Sequence, residues 1–115
     1  MSTEIKKFTE RQEEIANFAS ALAHPVRVAI LDLLASKACC YHGDMADELP
    51  IANSTLSQHL KVLKDAGLIQ GEITPPKTKY CIHKDNYKKA GEIFGFFFEN
   101  ALETTFSDEG VILCS

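Results

Sequence analysis

Apolar positions recur along the chain in two rhythms, one helical and one strand-like. Ile5, Phe8, Ile15, Phe18, Ala19 and Leu22 keep a helical period among lysines and glutamates, which predicts a first helix over about residues 4–22. Pro25 suits the first position of a second helix whose inner face carries Val26, Ile30, Leu33 and Leu34, with His24 ahead of it as a cap or packing residue. Met45 and Leu49, four apart, mark a short helix that Pro50 ends, and Ile51 fills the turn beyond. Leu56, Leu60 and Leu63 then stand at i, i+4 and i+7 of another helix, with Asn53 placed to cap it and Gly67 to close it in a left-handed turn. From Ile69 the period shortens, and two strand-like runs, Ile69 to Thr74 and Thr78 to Ile82, flank the breaker Pro75-Pro76. The link between Ser36 and Gly43, with Tyr41 and its neighbouring cysteines, suits a small strand that pairs with them. A last helix over about residues 85–102, capped by Asp85 or Asn86, brings Tyr87, Ala90, Phe94, Phe97, Phe98 and Ala101 near one face.

The polar side of the fourth helix is unlike that of an ordinary surface helix. At about 100° per residue, Ser54, Ser57, Gln58 and Lys61 fall opposite the leucines, a run of hydrogen-bonding groups where an ordinary surface helix would carry Glu and Lys pairs. An α-helix fits the DNA major groove, glutamine pairs bidentately with adenine, and hydroxyls serve bases or phosphates. A short helix, a turn and this second helix, at about residues 43–66, therefore read as a helix-turn-helix, and the hairpin at about 69–82 as its wing. The expected fold is α+β, mainly α: one winged helix-turn-helix flanked by terminal helices. Candidate DNA contacts are Asn53, Ser54, Thr55, Ser57, Gln58, His59 and Lys61 on the helix, and Lys77 and Lys79 on the wing. Arg27 lies off its own helix stripe, open to a phosphate or to an ion pair.

Composition sets limits. The 115 residues suffice for one domain, and 45% apolar content is ordinary for a globular protein. No stretch is apolar enough to span a bilayer and MSTEIKKF lacks a signal-peptide core, so no membrane association and a cytoplasmic location are expected. The net charge of -4 is unevenly spread: residues 54–84 carry +3 between arms of -3 and -4, and a dimer presenting two such segments on one face attracts a duplex. The terminal helices are too apolar to be left in water, which points to a homodimer interface built from Phe8, Ile15, Phe94, Phe97 and Phe98. No phosphate-binding glycine loop, nucleophile and base pair, or catalytic metal motif is visible, so no enzyme is expected.

The run His24-Pro25-Val26-Arg27 ahead of Ile30 and Leu31, then Ser54 through Leu63 (STLSQHLKVL), then Ala66-Gly67-Leu68-Ile69, resembles the ArsR family of bacterial winged-helix repressors over roughly residues 10–100. The resemblance implies a homodimer that leaves double-stranded operator DNA on binding a metal or metalloid ion or, in some members, on thiol oxidation. No cofactor is required. Cys39 and Cys40 offer adjacent soft thiolates suited to trivalent arsenic or antimony or a soft divalent metal, with Cys81 on the wing, or Cys114, as a third ligand and His42 as a further candidate. In a regular strand Cys39 and Cys40 point to opposite faces, so both reach one ion only if the chain bends. The family's metalloid sensors place two cysteines one residue apart at the start of the third helix; here Tyr41 and Gly43 hold those places, and no histidine follows His83 to build the terminal-helix zinc site.

Three readings remain open for the thiols: a soft-ion site, a reversible redox pair, or inert packing. From another class comes a winged helix used only for protein contacts, which would carry apolar or acidic residues on the outer face of the reading helix.

Overall fold

The computed structural model describes residues 7–74 and 77–105, the side chains of 73, 74 and 101–105 excepted. In chain order it contains α1 (Glu10–Ala21), α2 (Pro25–Lys37), β1 (Cys39–Tyr41), α3 (His42–Glu48), α4 (Asn53–Asp65), β2 (Ile69–Thr74), β3 (Lys77–Ile82) and α5 (Lys84–Thr105). The expected α+β, mainly α architecture is present.

Helix starts are set by local side-chain chemistry. α1 begins at Glu10 because Thr9 and Gln12 form a capping box: the Thr9 hydroxyl accepts from the Gln12 N–H at 3.1 Å and Gln12 Oε1 accepts from the Thr9 N–H at 3.0 Å. Lys7, Phe8 and Thr9, expected within this helix, precede it because the capping box starts the helix at Glu10, and the rest of the expected extension toward Ile5 lies outside the described residues. His24 caps α2 through Nδ1, which accepts from the Val26 N–H at 3.1 Å, with Pro25 in the first turn. α5 uses the same device. His83 Nδ1 accepts from the Asn86 N–H at 3.2 Å, so His83 and not Asp85 or Asn86 is the cap. The N-cap of α4 is Ala52 without any side-chain bond, and Asn53, the expected cap, is the first helical residue.

The strands form one antiparallel sheet in the order β1-β3-β2. Cys39, Cys40 and Tyr41 face Cys81, Tyr80 and Lys79 of β3, which in turn face Gln70, Gly71 and Glu72 of β2. Between α2 and β1 the chain turns at Ala38, whose φ of 70° is rare for a residue with a Cβ.

Ile30, Leu34, Met45, Leu56, Leu60, Leu63, Leu68 and Ile69 are fully buried and form the centre of the core, closed by Phe18 and Ala21 of α1 and Ala90 of α5. The leucine stripe of α4 thus seats the reading helix on α2 and the sheet. Its far end is held as well. Gly67 takes φ +88° and its carbonyl accepts from Asn86 Nδ2 at 2.9 Å, fastening the end of the helix-turn-helix to α5. A Cβ at Gly67 would lie 2.9 Å from that amide nitrogen, so both conformation and close approach require glycine.

Phe18 of α1 and Ala90 of α5 are buried in one core cluster, with Leu22 and Phe94 packed against it, and Lys89 pairs with Glu14 between the two helices. Phe94, expected at a dimer interface, already packs at the edge of this chain's own core, and Ile15 is half-buried. Among the described residues no single helix is both long and apolar enough to cross a membrane.

Candidate DNA interface and thiol pair

With Leu56, Leu60 and Leu63 facing inward, helical geometry leaves Asn53, Ser54, Ser57, Gln58 and Lys61 exposed along one side of α4, while Thr55 is half-buried. The Lys61 ammonium sits 2.9 Å from Asp65, but the two side chains are 75% and 64% exposed, so this i,i+4 pair is worth only about 0.3–0.5 kcal/mol. Lys61 is therefore free to turn to another anion at little cost. Ser57 Oγ shares a hydrogen bond of 3.0 Å with His42 Nε2 at the start of α3. His42, considered above as a metal ligand, thus braces the two helices of the motif.

His59 does not join the outward row. Its Nδ1 accepts from the Arg27 guanidinium at 3.0 Å and its ring lies 4.4 Å from that of His24, centroid to centroid. Arg27 also donates to the carbonyls of Ala21 at 2.7 Å and Ser20 at 3.3 Å, so one side chain joins the end of α1, the start of α2 and the reading helix. Neither Arg27 nor His59 is presented as a DNA contact. Burial first, then the neighbouring His24 and Arg27, lower the His59 pKa from its ordinary 6.5, because desolvation and nearby positive charge both disfavour the protonated ring. The unfolded chain then binds the proton more readily, so this contribution to stability is complete above about pH 6.5 and is lost as pH falls through the lower folded value. Thermal unfolding measured between pH 7.5 and 5 is expected to show a steeper loss for the natural chain than for His59→Gln. Parallel curves would remove His59 from the pH dependence.

On the wing, Lys77 lies at the tip with its ammonium 5.2 Å from the centre of the Tyr41 ring, and Lys79 pairs with Glu72 at 3.6 Å. Both are on the sheet, but Lys79 stands lower, in the row next to the thiols.

The cysteines divide between two faces, as strand alternation requires. Cys39 and Cys81 are directly opposed on β1 and β3 and joined in a disulfide. The Ile82 N–H bonds the Ala38 carbonyl one step along the ladder, which makes Cys39 and Cys81 a non-hydrogen-bonded pair, the kind whose side chains approach most closely. Cys40 points the other way into the core, and burial raises its thiol pKa, with Lys37 opposing and Asp44 and Glu48 assisting. The expected convergence of Cys39, Cys40 and Cys81 is therefore corrected: two meet and the third does not. No cluster of three or more potential ligands exists among the described residues. Cys114 lies outside them.

A buried leucine stripe behind an exposed polar row, a preceding short helix and a two-stranded wing define a winged helix-turn-helix protein of the transcription-regulator class. A helix-turn-helix domain family matches residues 22–72. The chain is 46% identical over 52 residues to the transcriptional repressor SmtB of Mycobacterium tuberculosis, covering 45% of this chain but only 38% of that protein. It is 30% identical over 97 residues to the biofilm growth-associated repressor of Xylella fastidiosa, covering 84% of this chain and 77% of the relative. The crystal structure of an ArsR family transcriptional regulator superposes with a TM-score of 0.68 at 23% identity, over 87% of this chain and 98% of the other. The chain belongs to the ArsR family of winged helix-turn-helix regulators, whose members are not enzymes.

Proposed function

We propose that this protein is a cytoplasmic, homodimeric repressor that binds double-stranded operator DNA through α4 and the wing, and whose grip is set by the oxidation state of Cys39 and Cys81. One observation carries the regulatory part. The disulfide joins β1, the strand that runs directly into α3, to β3 of the wing, so its state acts on both DNA-reading elements at once. On the DNA side, Ser54, Ser57 and Gln58 read base edges, Lys61 and Lys77 meet phosphates, and Asn53 with the uncapped first turn of α4 offers N–H donors to a backbone phosphate.

A coupling of 1–3 kcal/mol between thiol state and DNA binding corresponds to a change in affinity of about 5–150-fold. Gel-shift titrations at fixed protein concentration should show the oxidised protein binding more weakly than the reduced one, with Cys39→Ser insensitive and Cys40→Ser still responsive. Equal affinity in both states rejects redox control. The same titrations over a salt series separate a DNA reader from a winged helix used for protein contacts, because phosphate contacts give a steep decline of affinity with salt.

The reduced pair supports a second reading. Two thiolates opposed across adjacent strands form a soft chelate for trivalent arsenic or antimony or a soft divalent metal. Arsenite added to reduced protein should then produce thiolate charge-transfer absorbance that Cys39→Ser abolishes; its absence in the natural chain removes the reading.

A further inference from the structure

The outward face of the sheet carries more than the sulfurs. Register places Cys39, Cys81 and Gln70 in one row across the three strands and Tyr41, Lys79 and Glu72 in the next row on that face. At the first row lies an open depression of about 630 Å³, bounded by both cysteines, Lys79 and Glu72, and by Lys84 and Asp85 at the start of α5. Its rim thus holds two cations and two carboxylates around a disulfide. The two sulfurs differ in access: Cys81 is only 9% exposed, whereas Cys39, on the edge strand, is more open.

We infer that this depression receives a small zwitterionic amino-acid thiol, of the cysteine or glutathione kind, and that Cys39 is the sulfur it attacks. The inference rests on the redox reading above and names the reagent and entry point for it. An ammonium and carboxylates on one molecule match the mixed charges of the rim, while the size is that of an ordinary small-molecule site. The incoming thiolate forms a new S–S bond to Cys39 Sγ as the Cys39–Cys81 bond breaks. The electron pair leaves on Cys81 Sγ, which departs as a thiolate and takes a proton from water. A second thiolate then attacks the small-molecule sulfur of the mixed disulfide, releasing Cys39 as a thiolate and the reagent as its own disulfide. Oxidation of the dithiol by that small disulfide runs the same steps backwards. Cys40, buried on the other face, takes no part.

The test uses reduced full-length protein treated with glutathione disulfide and read by peptide mass spectrometry. In Cys81→Ser, the Cys39 thiolate attacks glutathione disulfide and expels glutathione thiolate, the reverse of the release step, and this adduct should form at least about tenfold faster than the Cys81 adduct does in Cys39→Ser, since access governs which protein thiolate reaches the reagent. Lys84→Glu in the Cys81→Ser background should slow the adduct at Cys39 several-fold with glutathione disulfide but not with uncharged hydroxyethyl disulfide. Equal rates at the two sulfurs, or a faster Cys81, overturn the entry point; a Lys84→Glu effect that is absent or common to both reagents overturns the zwitterion site. The gel shift of oxidised against reduced natural protein separately decides redox control, so selective adducts without a change in DNA affinity reject that reading while leaving the site established.

Discussion

Leu60→Ala is expected to remove about 2–5 kcal/mol of unfolding free energy, the range for deleting a fully buried leucine whose neighbours relax only in part. Leu60 lies in the middle of the inner stripe of α4 with no exposed surface, between Leu56 and Leu63, which are equally buried. A domain of this size holds only about 5–15 kcal/mol in total, so the loss is a large share of its stability. It should appear as a fall in Tm of about 4–8 °C for each kcal/mol. Val62, on the same helix but 39% exposed, is the control: Val62→Ala should stay within about 0.5 kcal/mol of the natural chain. Both are read from urea or thermal unfolding at one protein concentration. A Leu60→Ala cost no larger than that of Val62→Ala would mean that the leucines do not seat the reading helix, and the polar row would lose its support.

That stripe was legible because it is a local property. Three leucines at helical spacing need only the helix itself to be aligned, and Gly67, Pro25 and Pro50 mark helix ends by their own backbone limits. Strand alternation set Cys39 and Cys40 on opposite faces, and pairing of the link with the wing brought Cys81 near them, but which of the two meets Cys81 depends on the register of β1 against β3, which no local pattern fixes. What escaped depends on contacts between distant segments or on less usual chemistry. His59 sits among the groove-facing candidates by position along α4, but Arg27, thirty-two residues earlier, draws it toward α2. His42 looked like a ligand next to the cysteines, and only the approach of α3 to α4 shows it bonding Ser57. His83 caps α5 with a ring nitrogen, whereas the usual preference for Asp or Asn pointed two or three places too far along. The Thr9 and Gln12 capping box, by contrast, was present in the sequence and fixes where α1 begins.

Phe98→Glu is expected to give the second large effect, on DNA affinity and not on the fold of the single chain. Beyond the point where α5 packs on α1, the aromatic residues are largely exposed: Phe96 is 61%, Phe97 40% and Phe98 63% exposed, and Phe8 ahead of α1 is 72% exposed. The Phe97 and Phe98 rings meet edge to face at 5.2 Å between centres, and Arg11 of α1 lies 5.7 Å over the Phe97 ring. Four large rings left in water are costly, and a second copy of the same surface across a two-fold axis is the self-complementary solution. In such a dimer two reading helices that enter successive major grooves would lie about one helical turn of DNA apart, roughly 34–36 Å. A charge at Phe98 must be desolvated twice in that interface, once from each chain, whereas in the separate chain it simply faces solvent. Sedimentation should therefore show a dimer for the natural protein and a monomer for Phe98→Glu, with the helical circular dichroism of α1 to α4 retained. Each half-site would then be bound independently, and loss of the linked second contact should weaken operator binding by about 10²–10⁴-fold. A Phe98→Glu protein that stays dimeric, or a monomer that holds the operator as tightly as the natural chain, would remove the aromatic surface from the account of how the two halves of an operator are read.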